Sequence, residues 1–152
     1  MLARKLSVLS QVNVISLGMP KQDQMASEAG EVFMVGTVAV VDDDADVREV
    51  LGGLLETAGH TVRLYPSGSS LLGEKDLDQI DCVIIDQNMP GLRGTDVLLE
   101  IDRRRLTLPS VLITGAVDHE VTAAAQRLGA MTVMVKPILS DELLGFVETA
   151  VG

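Results

Sequence analysis

Four places in the sequence carry residue types that could act together on a phosphoryl group. Asp42-Asp43-Asp44 follow the run Thr37 to Val41, and Asp86 follows Cys82 to Ile85. Thr114 follows Val111 to Ile113, and Lys136 follows Met131 to Val135. Carboxylates held close together repel one another unless a cation is present. Their hard oxygens suit Mg2+, which keeps several waters and takes one or two carboxylates together with phosphate oxygens. An ionised aspartate can attack phosphorus and become an aspartyl phosphate. That transfer needs charge neutralisation and alignment more than acid-base help. A Mg2+ ion would supply part of the neutralisation and the Lys136 ammonium the rest, as a point charge. The Thr114 hydroxyl could donate a hydrogen bond to a phosphoryl oxygen.

Each of these residues alone has a plainer explanation. An aspartate after a strand commonly caps the next helix, and Asp44 is assigned that part. A single threonine at a strand end is usually structural, and a single lysine is usually a solvated surface charge. Their coincidence sets them apart, because each follows a short, largely apolar run that reads as a buried strand.

Between those runs the sequence turns helical. Val47, Val50, Leu51, Leu54, Leu55 and Ala58 recur at helical spacing, and Gly59 stops the helix. Thr61 to Tyr65 reads as the second strand, Pro66-Ser67-Gly68 as a turn, and Ser67 to Leu72 as the start of a short helix. Met89-Pro90-Gly91 breaks the chain after the third strand. Further helices are expected over Thr95 to Arg104 and Asp118 to Leu128, with Gly129 as a stop. Ser140 is expected to cap the last helix, with Asp141 and Glu142 in its first turn. Strand and helix in regular alternation predict an α/β fold: a parallel sheet covered by helices on both faces. In such sheets ligands bind beyond the carboxyl ends of the strands, where the polar groups above lie.

The segments VAVVDDDADVRE, CVIIDQNMPGLRG, VLITGA and VMVKPI resemble the four signature segments of response-regulator receiver domains. The resemblance spans roughly Thr37 to Val151. It implies a flavodoxin-like, doubly wound sheet of five parallel strands in the order 2-1-3-4-5. It implies that Asp86 is the phosphoacceptor and that Thr114 and Lys136 bind the phosphoryl group. Mg2+ would be held by Asp42, Asp43, Asp86 and the backbone carbonyl of Asn88, with Asp43 the direct ligand and Asp42 acting through water. Three consecutive aspartates leave that acidic pair open by one position. The resemblance also implies a cis Lys136-Pro137 bond and a small residue at Gly115. The implied partner is a sensor histidine kinase or a histidine phosphotransfer protein, with a downstream protein target.

Two positions depart from the pattern. Val133 stands where the family often places an aromatic switch residue, which puts the usual coupled motion of threonine and ring in doubt. Ala116 offers no polar group to guide a hydrolytic water, which argues against fast self-dephosphorylation.

The remaining features set limits. The chain has 152 residues, is 47% hydrophobic and only 2% aromatic, so aliphatic side chains must fill the core. A formal net charge of −10 repels nucleic acid and anionic membrane surfaces. No stretch reaches the ~18 consecutive apolar residues of a membrane span. Cys82 is the single cysteine, lies in an apolar run and reads as a small core residue, which suits the cytoplasm. His60 and His119 lack metal-ligand spacing and are expected on the surface. Residues 1–35 lack a sustained period and read as a loosely ordered extension. Arg4 and Lys5 precede a moderately apolar segment in signal-peptide order, but Ser10, Gln11, Asn13 and Ser16 interrupt it. Residues 36–152 then form the receiver-like domain.

The expected function is a single-domain response regulator, a monomer or a phosphorylation-dependent dimer, that acts by protein contact as a stand-alone regulator or phosphorelay intermediate. It is a signalling switch rather than an enzyme. Two alternatives stand beside it. One is a binding module that keeps the fold without being phosphorylated. The other is an aspartate-nucleophile phosphatase of the haloacid dehalogenase type. Asp42 and Asp44 form its D-x-D, but Ala45 and Asp46 depart from its continuation and the length leaves no room for a cap domain.

Overall fold

The computed structural model describes residues 34–152. The expected loose extension over residues 1–35 and the segment weighed as a signal peptide therefore fall almost wholly outside the described residues. In chain order the elements are β1 Thr37–Val41, α1 Ala45–Thr57, β2 Thr61–Tyr65, α2 Gly68–Leu72, a 3-10 turn Leu77–Gln79 and β3 Cys82–Asp86. Then follow α3 Gly94–Arg103, β4 Ser110–Thr114, α4 His119–Arg127, β5 Thr132–Val135 and α5 Ser140–Val151. All strand pairs are parallel, in one five-stranded sheet of order β2-β1-β3-β4-β5. This is the order implied by the resemblance.

The strands alternate strictly between two apolar faces, as their period of two requires. Ala39, Val41, Val83, Ile85 and Leu112 point toward the layer containing Leu71, Val97, Leu98, Ile101 and Ala125. Val38, Val40, Cys82, Ile84, Val111 and Ile113 point toward Leu51, Leu55, Leu143 and Val147. So α1 and α5 cover one face, while α2, α3 and α4 cover the other. Cys82 is fully buried, and burial pushes its thiol up to about 12, so it stays protonated and inert. Among the described residues no helix is long and apolar enough to cross a membrane.

The helix starts follow local chemistry. Asp44 caps α1, accepting from the amides of Asp46 and Val47. Asp118 caps α4 in the same way through Glu120 and Val121. Ser67 and Ser70 cap α2 reciprocally. The expectation that Ser140 caps α5 is corrected. The helix starts one residue earlier, because the Leu139 carbonyl already accepts from the Leu143 amide, and Leu139 is the cap. The expectation of a surface His60 is also corrected. His60 is 7% exposed, and its Nδ1 accepts from the Gly36 amide at 3.2 Å. The ring closes the N-terminal ends of β1 and β2, a place that a sequence pattern does not mark. His119 is exposed.

Two outcomes follow from this packing. Burial lowers the His60 pKa from its ordinary 6.5. Between the folded and unfolded values the unfolded chain binds more protons, so stability falls as pH drops below about 6.5 and levels off beneath the folded value. His60→Gln should flatten that part of a urea-midpoint profile against pH. Gly94 opens α3 against the end of β3. A Cβ there would strike the Leu112 side chain and lie 2.9 Å from the Asp86 carbonyl oxygen. Gly94→Ala should lower the urea midpoint by the equivalent of about 1–3 kcal/mol, with an unchanged m value.

Candidate functional site

The carboxyl ends of β1, β3, β4 and β5 meet along one edge of the sheet. Asp42 follows β1, and its amide extends the ladder by donating to the Tyr65 carbonyl at 3.1 Å. Asp86 ends β3, opposite Ile113 of β4. Thr114 lies one residue beyond that rung and pairs with Val135. The Lys136 amide then donates to the Thr114 carbonyl at 2.9 Å, carrying the ladder one step past β5. Ladder register alone therefore brings these groups together, since each strand stops within a residue of its neighbour.

Asp42, Asp43 and Asp86 each offer a carboxylate oxygen, and all three atoms lie within 4.8 Å of one another. Asp42 and Asp86 are buried, while Asp43 is exposed at the mouth. Lys136 Nζ stands 3.5 Å from Asp86 Oδ1. That distance makes an ion pair rather than a hydrogen bond. Asp86 Oδ1 is buried and has no hydrogen-bond partner among the described residues. Burial pushes the Asp86 carboxyl above its ordinary value, the Lys136 charge and the Asn88 amide pull it back, and the Asp43 charge raises it again. Asp42 is likewise raised by burial, opposed by a hydrogen bond from the Asp44 amide, and raised further by the Asp86 charge.

The other expected residues are close by. Thr114 is buried, and its Oγ1 donates to the Ala116 carbonyl at 3.2 Å. Asn88 follows Asp86 by two residues, and its amide reaches the Asp86 carboxylate. A Cβ built on Gly115 would find Asn88 Nδ2 at 3.9 Å, so the space beside this glycine is open. The Lys136-Pro137 peptide bond is cis. Val133 pairs with Leu112 and packs, partly buried, against the α2–α3–α4 layer as an ordinary strand residue. Asp44 serves as the α1 cap and is absent from the acidic cluster. The D-x-D needed by the phosphatase alternative is thereby split.

Two residues that sequence reasoning passed over also shape the site. Gln87 is 3% exposed and fixes the loop after Asp86. Its Oε1 accepts from the Thr95 amide at 2.9 Å, and its Nε2 donates to Thr95 Oγ1 at 3.2 Å. Its backbone amide donates to the Ile113 carbonyl at 2.7 Å, and its carbonyl accepts from Gly94 at 3.2 Å. The only signal was a polar side chain directly after an apolar strand. Arg48 of α1 donates from Nη1 to the Asp42 carbonyl at 2.7 Å. Its position four residues after Asp44 suggests a helical ion pair, so spacing points to the wrong acceptor.

Metal fit can be judged from the donors themselves. Three convergent carboxylate oxygens, on residues that include the buried Asp86 with its orphaned Oδ1, form a hard, anionic set suited to a divalent cation of the Mg2+ type.

Comparison with known proteins gives the same direction. A family model described as the response regulator receiver domain matches residues 38–148. The transcriptional regulatory protein FixJ of Bradyrhizobium diazoefficiens is 33% identical over 116 residues, which cover 76% of this chain and 57% of that protein. The DNA-binding transcriptional regulator NtrC of Salmonella typhimurium is 34% identical over 117 residues, covering 77% of this chain but 25% of that protein. The chain thus spans about half or less of the length of these relatives. Among solved structures, a response regulator receiver domain protein from Clostridium thermocellum superposes with a TM-score of 0.71 at 27% identity, over 76% of this chain and 94% of that one. With a family model and relatives that each match most of its length, this chain belongs to the response-regulator receiver domains of two-component signalling.

Proposed function

We propose that residues 36–152 form a receiver that accepts a phosphoryl group on Asp86, from a phosphohistidine of a sensor kinase or phosphotransfer protein, in a Mg2+-dependent reaction. The observation that carries this reading is Asp86 Oδ1: buried, without a hydrogen bond among the described residues, and facing the Lys136 ammonium at 3.5 Å. A buried polar atom left unsatisfied costs about 1–3 kcal/mol, and such atoms gather where chemistry needs them.

In this reading a free carboxylate oxygen of Asp86 attacks phosphorus in line with the departing imidazole nitrogen. An oxygen–phosphorus bond forms, the phosphorus–nitrogen bond breaks, and the imidazole leaves with its electron pair and is protonated from solvent. Lys136 answers the charge on the transferred group. The Thr114 hydroxyl, now on the Ala116 carbonyl, would turn to a phosphoryl oxygen and carry its loop with it. Asp42, Asp43, Asp86 and the Asn88 carbonyl are the groups that would hold Mg2+, which when bound offsets the negative charge between carboxylates and phosphoryl oxygens. The open space beside Gly115 leaves room for the group. Val133 supplies no ring to follow Thr114, so the change would pass through the β4–α4 loop, where Val117 is 71% exposed.

The protein so described is a switch rather than a turnover enzyme. It would act by protein contact, in the cytoplasm, as a single-domain regulator or a phosphorelay intermediate. The net charge of −10 and the single buried, unpaired thiol support those assignments. Residues 1–35 are given no role in this scheme.

Incubation with acetyl phosphate or phosphoramidate and Mg2+, followed by intact mass measurement, should show one added phosphoryl group. Asp86→Ala and chelation of Mg2+ should each abolish the gain. Unmodified wild-type protein across several donors would overturn the assignment. The raised carboxyls of Asp42 and Asp86 also mean that the charged cluster opposes folding when no cation is present. Asp86→Asn should therefore raise Tm in chelator by a few degrees, the scale that ~1 kcal/mol produces in a domain of this size. Mg2+ should then raise the Tm of wild type more than that of the variant.

A further inference from the structure

The acidic loop between β1 and α1 is held by a chain of bonds ending on one arginine. Asp42 Oδ1 accepts from the Asp44 amide at 2.9 Å. Asp44 Oδ1 in turn caps α1, and the Asp44 carbonyl accepts from the Arg48 amide at 3.0 Å. From the first turns of that helix Arg48 reaches back, and its Nη1 donates to the Asp42 carbonyl at 2.7 Å. That carbonyl belongs to the peptide plane joining Asp42 to Asp43. The planar peptide places the Asp43 Cα, and the hydrogen bond from the Asp44 amide to Asp42 Oδ1 holds the backbone on its other side, so together they set the direction in which the Asp43 side chain leaves the backbone. Asp43 needs such support, since its exposed carboxylate makes no hydrogen bond or ion pair of its own among the described residues.

The choice of acceptor is informative. Asp42, Asp43, Asp44 and Asp46 all lie within six residues of Arg48, and a guanidinium normally favours a carboxylate. Arg48 binds a neutral carbonyl instead. Pairing with Asp43 would occupy an oxygen that a cation requires. Binding the carbonyl orders the loop and leaves the oxygens of the acidic cluster free.

We propose that Arg48 is a positioning residue for the metal site, acting through the Asp42 carbonyl to aim the Asp43 carboxylate at the cation. This rests on reading Asp42, Asp43 and Asp86 as that site. The proposal makes a prediction opposite in sign to simple electrostatics. Removing a positive charge beside an anionic cluster should by Coulomb's law tighten cation binding. Removing a group that orients a ligand should weaken it.

The test is Mg2+ titration of the full chain by calorimetry, with the amide NMR shifts of residues 42–44 as a second readout. Wild type, Arg48→Ala, Arg48→Gln and Arg48→Lys are compared, and urea midpoints confirm that each is folded. Arg48→Ala should bind Mg2+ about tenfold more weakly, as loss of a group supporting a metal ligand does. Arg48→Lys and Arg48→Gln keep an N–H donor and should recover much of the loss. Recovery by the neutral glutamine assigns the effect to the hydrogen bond and not to charge. Unchanged or tighter binding by Arg48→Ala overturns the proposal, as does a loss that neither donor variant recovers. Absence of Mg2+ binding by wild type would instead bring down the metal-site reading itself.

Discussion

Burying Asp42 and Asp86 side by side is unfavourable, and Lys136 offsets it only in part. Most of the surrounding structure bears on that charge imbalance. The Asp44 amide stabilises one Asp42 oxygen, and the Asn88 amide reaches Asp86. Asp43 is kept at the solvent edge, where its charge is screened. Asp86 Oδ1 has the Lys136 ion pair but no hydrogen bond among the described residues. The sheet supports this arrangement because its strands are apolar on both faces and stop at almost the same level. The carboxylates therefore stand at the rim of a dry core and not inside it.

Much of the fold and of the candidate site was legible because two strong signals coincide. Short continuous runs of apolar, β-branched residues mark the strands, and a polar residue ends or follows each of β1, β3, β4 and β5. Asp42, Asp86, Thr114 and Lys136 could be found without knowing how the strands were ordered. What stayed hidden depends on contacts between distant segments. His60 and Gly36 are 24 residues apart, and only the pairing of β1 with β2 makes the histidine an internal acceptor. Gln87 meets Thr95 across a loop with neither helical nor strand periodicity. Arg48 has a visible i−4 aspartate yet bonds elsewhere. Ser140 had the right chemistry for a cap, but chain geometry started the helix one residue earlier.

The two apolar layers differ in their relation to the site. The α1–α5 layer carries Arg48, which touches the acidic loop from one side. The opposite layer carries Gln87 and the start of α3. On the reading proposed above, one layer sets where a cation is held, and the other sets where the acceptor oxygen stands.

The clamp between Gln87 and Thr95 also bears on how a signal could leave the site. Three hydrogen bonds and a close Gly94 contact tie the residue after β3 to the start of α3, so Asp86 has one braced wall. Among the described residues Thr114 has a single side-chain bond, to a carbonyl of its own loop. Any displacement generated at Asp86 would thus be rectified, with the α3 side acting as an anvil. On the reading proposed above it would pass instead to the β4–α4 loop, which the Thr114 hydroxyl holds through the Ala116 carbonyl.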